Sequence, residues 1–245
     1  MLKKYLAYVG IDVQAHQKPF FYTVLDSTLE VIATGHGRMV DVLSYLAGLS
    51  SALVAVNGPI SAREPDREVK QSGLFDQASP AGELVTARTG EKELASRGFT
   101  NFITGKTEER SIALASGLRE LGYTMHGEIN SDKVYLETNC DAACWLAAGC
   151  LPYDARSLEG RLQRQLILCE MGIHLKDPMN FLEEFTRHRL RTSQLPMEQI
   201  LPGYELRAMM AAATAWLVDS FPEKVEHLGK SGAGEVILAG DFSSK

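Results

Sequence analysis

The order of strand-like and helix-like segments in the first 60 residues strongly constrains the topology of this chain. Three segments rich in aromatic and β-branched residues come first, and short polar stretches separate them: "KKYLAYVGIDV", "PFFYTVLDS" and "LEVIATGHG". A helical spacing of apolar residues in "MVDVLSYLAGL" and a buried strand in "ALVAVNGP" follow. The short connections predict antiparallel neighbours, whereas the crossover helix predicts a fourth strand parallel to one of the first three.

The rest of the chain continues as an α/β protein. Residues 61–130 are charged and contain the helix-like segments "SAREPDREVKQSG", "TGEKELASRG" and "EERSIALASGLRELG", which we interpret as an elaboration over one face. A fifth strand, "KVYLE", leads into a helix at "CDAACWLAAG". Two helices, a long helix and a last strand follow at "GRLQRQLILCEMG", "NFLEEFTRHRLR", "YELRAMMAAATAWLVDSF" and "GEVILAG". Because no linker interrupts the chain, we predict one domain over residues 1–245.

Composition and charge exclude several classes of function. The 245 residues are 45% hydrophobic and 23% charged, which is ordinary for a globular protein with a sizeable core. A net charge of −6 argues against sequence-independent wrapping of nucleic acid, but it leaves room for a local basic groove. The apolar run before Asp12 is too short for a signal peptide or a membrane span. We therefore expect a cytoplasmic protein with no membrane partner.

Two buried strands end on a polar residue. The first strand ends on Asp12 and the fourth on Asn57. Side chains alternate along a strand, so a small residue, Gly10 or Ala55, precedes each polar group on the same face and leaves room beside it. Ligands of open α/β sheets collect at the carboxyl ends of strands. The alternative is local: Asp12 accepts hydrogen bonds from loop amides, and Asn57 begins the turn at Gly58.

Five short motifs, in order along the chain, are similar to those of one known family. They are "GID" at the first strand, "VAVNGP" at the fourth, "RTGEKEL" with Arg88, Glu91 and Leu94, "LETNCDA" with Glu137, and "ELRAMMAAATAWL" with Glu205. Through them the chain resembles, over nearly its whole length, a bacterial and archaeal family of predicted ribonuclease-H-like nucleases, domain-of-unknown-function family 429. The resemblance implies a ribonuclease H-like mixed sheet with a β-β-β-α-β start, flanked by helices and carrying a helical insertion.

The resemblance also implies a divalent-metal-dependent nuclease that hydrolyses phosphodiester bonds of nucleic acid. Carboxylates from separate elements would hold Mg²⁺ or Mn²⁺, and the ion would activate water and stabilise the leaving oxygen. The catalytic and metal-binding residues that it implies are Asp12, Glu137 and Glu205. The residues that we expect to bind the substrate are Arg88, Glu91, Asn57 and Arg207.

Two positions depart from the acidic pattern of the family. Asn57 stands where an Asp is usual, so an oxygen is kept but its charge is lost. Arg207 stands at another usual Asp and puts a positive charge near the expected metal, which repels a divalent ion. We expect Arg207 to pair with Asp12 or Glu205, or to bind a phosphate directly.

Two hypotheses therefore stay open. One is a nuclease that acts through Asp12, Glu137 and Glu205. The other is a non-catalytic relative that binds a nucleic acid, a nucleotide or a protein partner. Both predict that Asp12 and Asn57 end adjacent parallel strands and face the same side, with Glu137 on a neighbouring element.

Other chemical signals are weaker. The four cysteines contain no CxxC pair and no nearby His completes a zinc site, so we expect buried, reduced thiols at Cys140, Cys144, Cys150 and Cys169. The segment "TGKTEERS" lacks the first Gly of a phosphate-binding loop. The basic run "RHRLR" is expected to be a solvated helix face.

Overall fold

A mixed six-stranded sheet forms the centre of the molecule. The computed structural model describes residues 5–14, 18–63, 87–100, 102–128, 131–230 and 234–240. The strands of the sheet are β1 Ala7–Asp12, β2 Phe20–Leu25, β3 Val31–Gly37, β4 Ala52–Asn57, β5 Thr124–Met125 and β6 Lys133–Thr138. Their order is β3-β2-β1-β4-β6-β5. The neighbours β1, β2 and β3 are antiparallel, whereas β1, β4, β6 and β5 are parallel.

Helices cover both faces of this sheet. The described part of the chain contains the α-helices α1 Met39–Ala47, α2 Thr89–Ser96, α3 Lys106–Glu120, α4 Cys140–Ala148, α5 Leu158–Glu170, α6 Met179–Glu184, α7 Arg187–Arg191 and α8 Gly203–Ser220. Short 3-10 helices lie at Met197–Gln199 and Pro222–Lys224. The strands β7 Val225–Leu228 and β8 Val236–Ala239 form a separate antiparallel pair. None of the described helices is long and apolar enough to cross a membrane.

The predicted β-β-β-α-β start is confirmed. The first three strands are antiparallel neighbours, and α1 crosses over to β4, which lies parallel to β1. The helix predicted over residues 180–191 is instead two helices. They separate because the Thr186 hydroxyl accepts a hydrogen bond from the backbone N–H of Arg189 at 3.2 Å and so begins a new helix, α7. The strands β5 and β7 were not predicted, because β5 has only two residues and the centre of β7 is polar, at Glu226 and His227.

The predicted insertion is described only in part. Its helices α2 and α3 are confirmed, whereas residues 64–86, which include most of "SAREPDREVKQSG", lie outside the described residues. The helix α3 packs closely against α1 at Gly117, where an added Cβ would lie 2.5 Å from Cδ1 of Leu43. Residues of α3 therefore belong to the helical layer on that face of the sheet. The single-domain organisation of residues 1–245 stays a prediction.

The sheet separates two hydrophobic cores. On one face α8 and α4 pack against residues such as Tyr8, Leu53 and Leu136. On the other face α1 and α3 pack against residues such as Val9 and Val54. Both β1 and β4 are buried along their full length, which explains why they appear in the sequence as continuous apolar runs rather than alternating ones.

Gly10 allows α8 to lie directly against β1. A Cβ at Gly10 would lie 1.9 Å from the backbone oxygen of Ala208 and 2.2 Å from the backbone nitrogen of Ala212, so no larger residue fits. The buried alanines of α8 present the small surface that this approach requires. The approach brings the first turns of α8, with Arg207, beside the carboxyl end of β1.

Candidate functional site

The two polar strand ends meet as predicted. Asp12 and Asn57 are paired residues of the parallel strands β1 and β4. The Asn57 Nδ2 donates a hydrogen bond of 2.8 Å to Oδ1 of Asp12, so the two side chains face the same side. Both are buried, with 1% and 5% of their surface exposed. The neighbouring strand β6 carries Glu137 in register with Val56, as the prediction also required.

Arg207 from α8 binds the same carboxylate. Its Nε donates to Oδ1 of Asp12 at 3.0 Å, and its Nη2 donates to Oδ2 at 2.9 Å. Burial alone would lower the pKa of Arg207, but the Asp12 carboxylate outweighs burial and raises it. Such a bidentate, charge-assisted pair is among the stronger polar contacts in proteins. Of the partners expected for Arg207, the structure shows Asp12.

The chemistry of an amide explains why Asn57 is not an acid. While its Nδ2 donates to Asp12, its Oδ1 accepts a hydrogen bond of 3.0 Å from the backbone N–H of Cys140. A carboxylate has no donor for Asp12 and would repel it at this distance. The Cys140 Sγ in turn donates to the backbone oxygen of Arg207 at 3.0 Å. Asn57 therefore joins β1, β4 and the start of α4 in one network.

An open cleft of about 310 Å³ lies over this network. It lies at the carboxyl ends of β1 and β4 and at the first turns of α3 and α4, as expected for a ligand site of a parallel sheet. The residues that line it are Asp12, Val13, Gln14, Asn57, Phe102, Ile103, Thr104, Thr107, Asn139, Asp141 and Arg207. Its volume is at the small end of the usual range for ligand sites, which begins at about 300 Å³.

The two helix starts at the cleft differ in how their N–H groups are satisfied. Asn139 caps α4, because its side-chain oxygen accepts a hydrogen bond of 3.1 Å from the backbone N–H of Ala142. In α3, no side chain of the described residues caps the first turn, which follows Gly105 at a φ of 61° and carries Glu108 and Glu109. The free N–H groups of an uncapped helix start attract negative charge. Thr104 and Thr107 place this start on the wall of the cleft.

Glu137 belongs to a different cluster. Its carboxylate accepts a 2.6 Å hydrogen bond from Nη2 of Arg88, a second bond from Nη1 of Arg88, and a 3.0 Å bond from the backbone N–H of Ile60. Burial raises the pKa of Glu137, although Arg88 opposes this effect. Alternation along β6 puts Glu137 on the face of Tyr135, in the core of α1 and α3, and opposite the face of Asp12. The structure therefore does not bring Glu137 to Asp12.

Arg88 and Glu91, which we expected to contact a substrate, are also buried in this cluster. The Arg88 Nη2 donates to Oε1 of Glu91 at 2.9 Å, and the backbone N–H of Arg88 donates to Oε2 at 3.1 Å. Burial alone would raise the pKa of Glu91, but Arg88 and Arg63 outweigh burial and lower it. Arg88 is only 7% exposed and Glu91 only 3%. Their contacts fix α2 to the sheet and leave neither group open to a ligand.

Glu205 lies away from the cleft. It precedes Arg207 by two positions on α8, and residues at that spacing do not face each other. Within the described residues, its carboxylate has no hydrogen-bond partner and does not line the cleft. Partial burial raises its pKa. The metal site of Asp12, Glu137 and Glu205 that the resemblance implies is therefore not assembled from the described residues.

Asp12 and Asp141 are the carboxylates that line the cleft among the described residues, and each is bound by an arginine. Asp141 accepts a hydrogen bond of 3.0 Å from Nη2 of Arg164. No group of three or more His, Cys, Asp or Glu within the described ranges is placed to hold a metal ion. Asp12 and Asp141 are thus the residues most suited to hold Mg²⁺ or Mn²⁺. Each carboxylate would first have to lose the arginine that binds it.

The cysteines are free thiols, but they differ in exposure. Cys140 and Cys144 are buried below the cleft, as predicted. Burial raises the pKa of both thiols, that of Cys144 to about 12. The prediction of burial is wrong for Cys150, which is exposed just after α4, and Cys169 is half-buried.

Sequence reasoning did not find several residues of the cleft. Phe102, Thr104 and Thr107 were missed. Their segment resembles a phosphate-binding loop but lacks its first Gly, so the pattern gave no reason to place them at a site. The signal that could have found them is Gly105 directly before an amphipathic helix, which predicts an uncapped helix start.

Comparisons with protein-family models, with curated proteins and with solved structures give no match for this chain.

Proposed function

We propose that this chain is a ribonuclease H-like protein that binds a nucleic acid or nucleotide in the cleft without metal-dependent hydrolysis. The fold assignment is supported by the β-β-β-α-β start, by the parallel pairing of β4 with β1, and by an Asp at the end of β1. The position of the cleft at the carboxyl ends of these strands supports a ligand-binding role.

The observation that carries the proposal is that both oxygens of Asp12 already accept hydrogen bonds from protein groups. Its Oδ1 accepts hydrogen bonds from Asn57 and Arg207, and its Oδ2 accepts one from Arg207. A metal ion would have to displace the guanidinium or lie beside it. Two unit charges about 4 Å apart repel by about 1 kcal/mol in water, and a divalent ion doubles that value. Asp12 is thus a poor metal ligand while Arg207 is in place.

The same pair forms an anion-binding group. A guanidinium has more N–H groups than the two that bind Asp12, and the Arg207 side chain keeps 26% of its surface exposed. Asp12 therefore holds the guanidinium in a fixed orientation at the cleft. The start of α3 also lies on the cleft wall and adds partial positive charge, which Glu108 and Glu109 in its first turn offset in part. A phosphate group suits both features, because planar N–H donors and helix N–H groups bind its oxygens.

A metal-dependent nuclease is the second candidate. Asp12 and Asp141 both line the cleft, and Mg²⁺ often uses one or two carboxylates together with water and substrate phosphate. This function requires Arg207 to leave Asp12 when the ion binds. Glu137 and Glu205 would take part only after a rearrangement of β6 and α8.

Binding measurements in the presence of EDTA test the proposal. Fluorescently labelled single-stranded and duplex oligonucleotides and a nucleoside monophosphate are titrated with wild-type protein, with Arg207→Ala and with the control Arg187→Ala, an exposed arginine of α7. We expect wild type to bind without metal, Arg207→Ala to bind at least about tenfold more weakly, and the control to bind as wild type does. Binding that requires Mn²⁺, accompanied by cleavage of the oligonucleotide, would favour the nuclease instead.

A further inference from the structure

We infer that the ligand of the cleft is a single-stranded nucleic acid that extends from Phe102 across Arg207 to Tyr204. The inference rests on the proposed function and specifies its ligand. It concerns a surface wider than the cleft itself, since Tyr204 lies outside the cleft lining. Two aromatic rings flank the anion-binding guanidinium from different sides.

Tyr204 lies next to Arg207 on the surface of α8. The two residues are three positions apart, so their side chains are neighbours on the same side of the helix. The Tyr204 ring packs on Phe21 with 5.0 Å between the ring centroids. Phe21 is the antiparallel partner of Asp12 on β2, so the ring lies on the β2 side of the Asp12–Arg207 pair. Phe21 is buried, whereas Tyr204 keeps 38% of its surface exposed.

Phe102 lies on the other side of the pair. It lines the cleft just before α3, together with Asn139 and Asn57. Its ring is supported from behind by Phe99, with 6.2 Å between centroids in an edge-on arrangement. Phe102 is partly buried against the core, and the part of it that lines the cleft is open to a base. Each of the two rings is held by a second aromatic ring, which fixes its orientation as a platform for stacking.

A single strand suits this order of ring, guanidinium and ring. Its unpaired bases stack on aromatic side chains whatever their sequence, and the phosphates between them bind arginine. A duplex hides its base faces in its own stack, and a mononucleotide has only one base for two platforms. The net charge of −6 also favours a short local contact over broad binding to duplex phosphates.

Fluorescence anisotropy with a labelled hexanucleotide, a dinucleotide and a nucleoside monophosphate tests the inference in EDTA. The variants are Tyr204→Ala, Phe102→Ala and Tyr204→Phe. The control is Phe185→Ala, because Phe185 is 40% exposed and also packs on another phenylalanine, Phe181. We expect each of the two alanine variants at the platforms to weaken hexanucleotide binding about 5- to 150-fold. Tyr204→Phe and the control should bind within about twofold of wild type, because both keep the stacking rings.

Three outcomes would overturn the inference, and they differ in what they say about the proposed function. If none of the alanine variants weakens hexanucleotide binding, the stacking role of the two rings is refuted but the proposed function stands. If the monophosphate binds more tightly than the hexanucleotide, a single strand is refuted as the ligand, and the proposed function again stands. If wild type binds none of these probes, both the inference and the proposed function are refuted. Circular dichroism of each variant identifies any that has not folded. If Tyr204→Ala does not fold, Tyr204→Leu takes its place, because leucine keeps an apolar side chain against Phe21 but has no ring for stacking.

Discussion

Arg207 and Asp12 form a bidentate ion pair at the carboxyl end of β1, with N···O distances of 3.0 and 2.9 Å. The pair joins the first turns of α8 to the strand whose final Asp is the first motif of the family that the chain resembles. Because Asn57 also donates to this carboxylate, Asp12 orients an arginine rather than a metal ion. Asp12, to which the resemblance assigns metal chemistry, instead holds a guanidinium that we propose binds an anion.

Loss of Arg88 should strongly destabilise the fold. Its guanidinium binds both Glu137 and Glu91, and all three side chains are at most 5% exposed. Removal of Arg88 leaves the buried Glu137 without its cation, whereas Glu91 keeps Arg63, and breaking a buried pair in this way costs about 3–5 kcal/mol. We expect Arg88→Ala to lower the free energy of unfolding in urea by that amount. Arg97→Ala, which breaks the exposed pair with Glu226, should cost less than about 1 kcal/mol. Equal costs for the two variants would contradict a structural role for the Arg88 cluster.

A methyl group at Gly10 should separate α8 from β1. The added Cβ would lie 1.9 Å from backbone oxygen of Ala208, which cannot rotate away. We expect Gly10→Ala to lower the free energy of unfolding by at least about 3 kcal/mol. Gly48→Ala is the control, because its Cβ would lie 3.4 Å from the nearest atom outside its neighbours. The close approach of α8 to β1 would be refuted by a Gly10→Ala protein as stable in urea as the control.

Glu91 should make stability depend on pH. Burial alone would raise its pKa, but Arg88 and Arg63 lower it below the ordinary value of 4.5. A carboxyl whose pKa is lower in the folded chain stabilises the fold above its unfolded pKa and loses that contribution as the pH falls through its folded pKa. We therefore expect the free energy of unfolding to fall below about pH 4.5. This fall should be shallower in Glu91→Gln.

The control for this pH dependence is Glu93→Gln, an exposed neighbour on the same helix. Urea unfolding of wild type and both variants at a series of pH values from about 3 to 7 gives the comparison. Identical slopes for Glu91→Gln and wild type would show that the arginines do not stabilise the ionised form of Glu91.

Thiol labelling should distinguish the cysteines. Cys140 and Cys144 are buried, and burial raises the pKa of both thiols. Only the thiolate reacts with iodoacetamide, so both should stay unmodified in the folded protein at about pH 8. Cys150 is exposed and should react first, which peptide mass spectrometry can show. Rapid labelling of Cys140 without denaturant would mean that the base of the cleft opens in solution.

Much of the fold could be predicted from local patterns. The strands β1 and β4 are buried apolar runs with a polar end, and a helix between strands requires a parallel crossover, so the meeting of Asp12 and Asn57 followed. The hydrophobic pattern carried no signal for β5, because two residues cannot show a periodicity. The break between α6 and α7 depended on one capping side chain, Thr186, inside a continuous helical pattern.

The candidate site was less predictable, because it depends on contacts between distant segments. Arg88 reaches Glu137 across 49 positions of sequence, and no local pattern shows that one neutralises the other. The position of a residue in a motif also does not show which face of the sheet its side chain occupies. Glu137 shares a face with Tyr135, on the side of the sheet opposite Asp12. Arg207, in contrast, was identified by its chemistry, since a cation at a usual acid position must find a negative partner.

The central claim is that Arg207 and Asn57 replace a metal ion at Asp12, and titration calorimetry with Mn²⁺ tests it most directly. Wild type should show no binding at micromolar Mn²⁺. Asn57→Asp combined with Arg207→Asp should bind at least about tenfold more tightly, because two negative charges are added and one positive charge is removed at one pocket. Asp12→Ala in that background should abolish the gain. The control is Asn57→Asp with Arg187→Asp, which makes the same charge change at an exposed arginine and should gain less affinity. Micromolar binding of Mn²⁺ by wild type, together with cleavage of nucleic acid that depends on Asp12, would contradict the account.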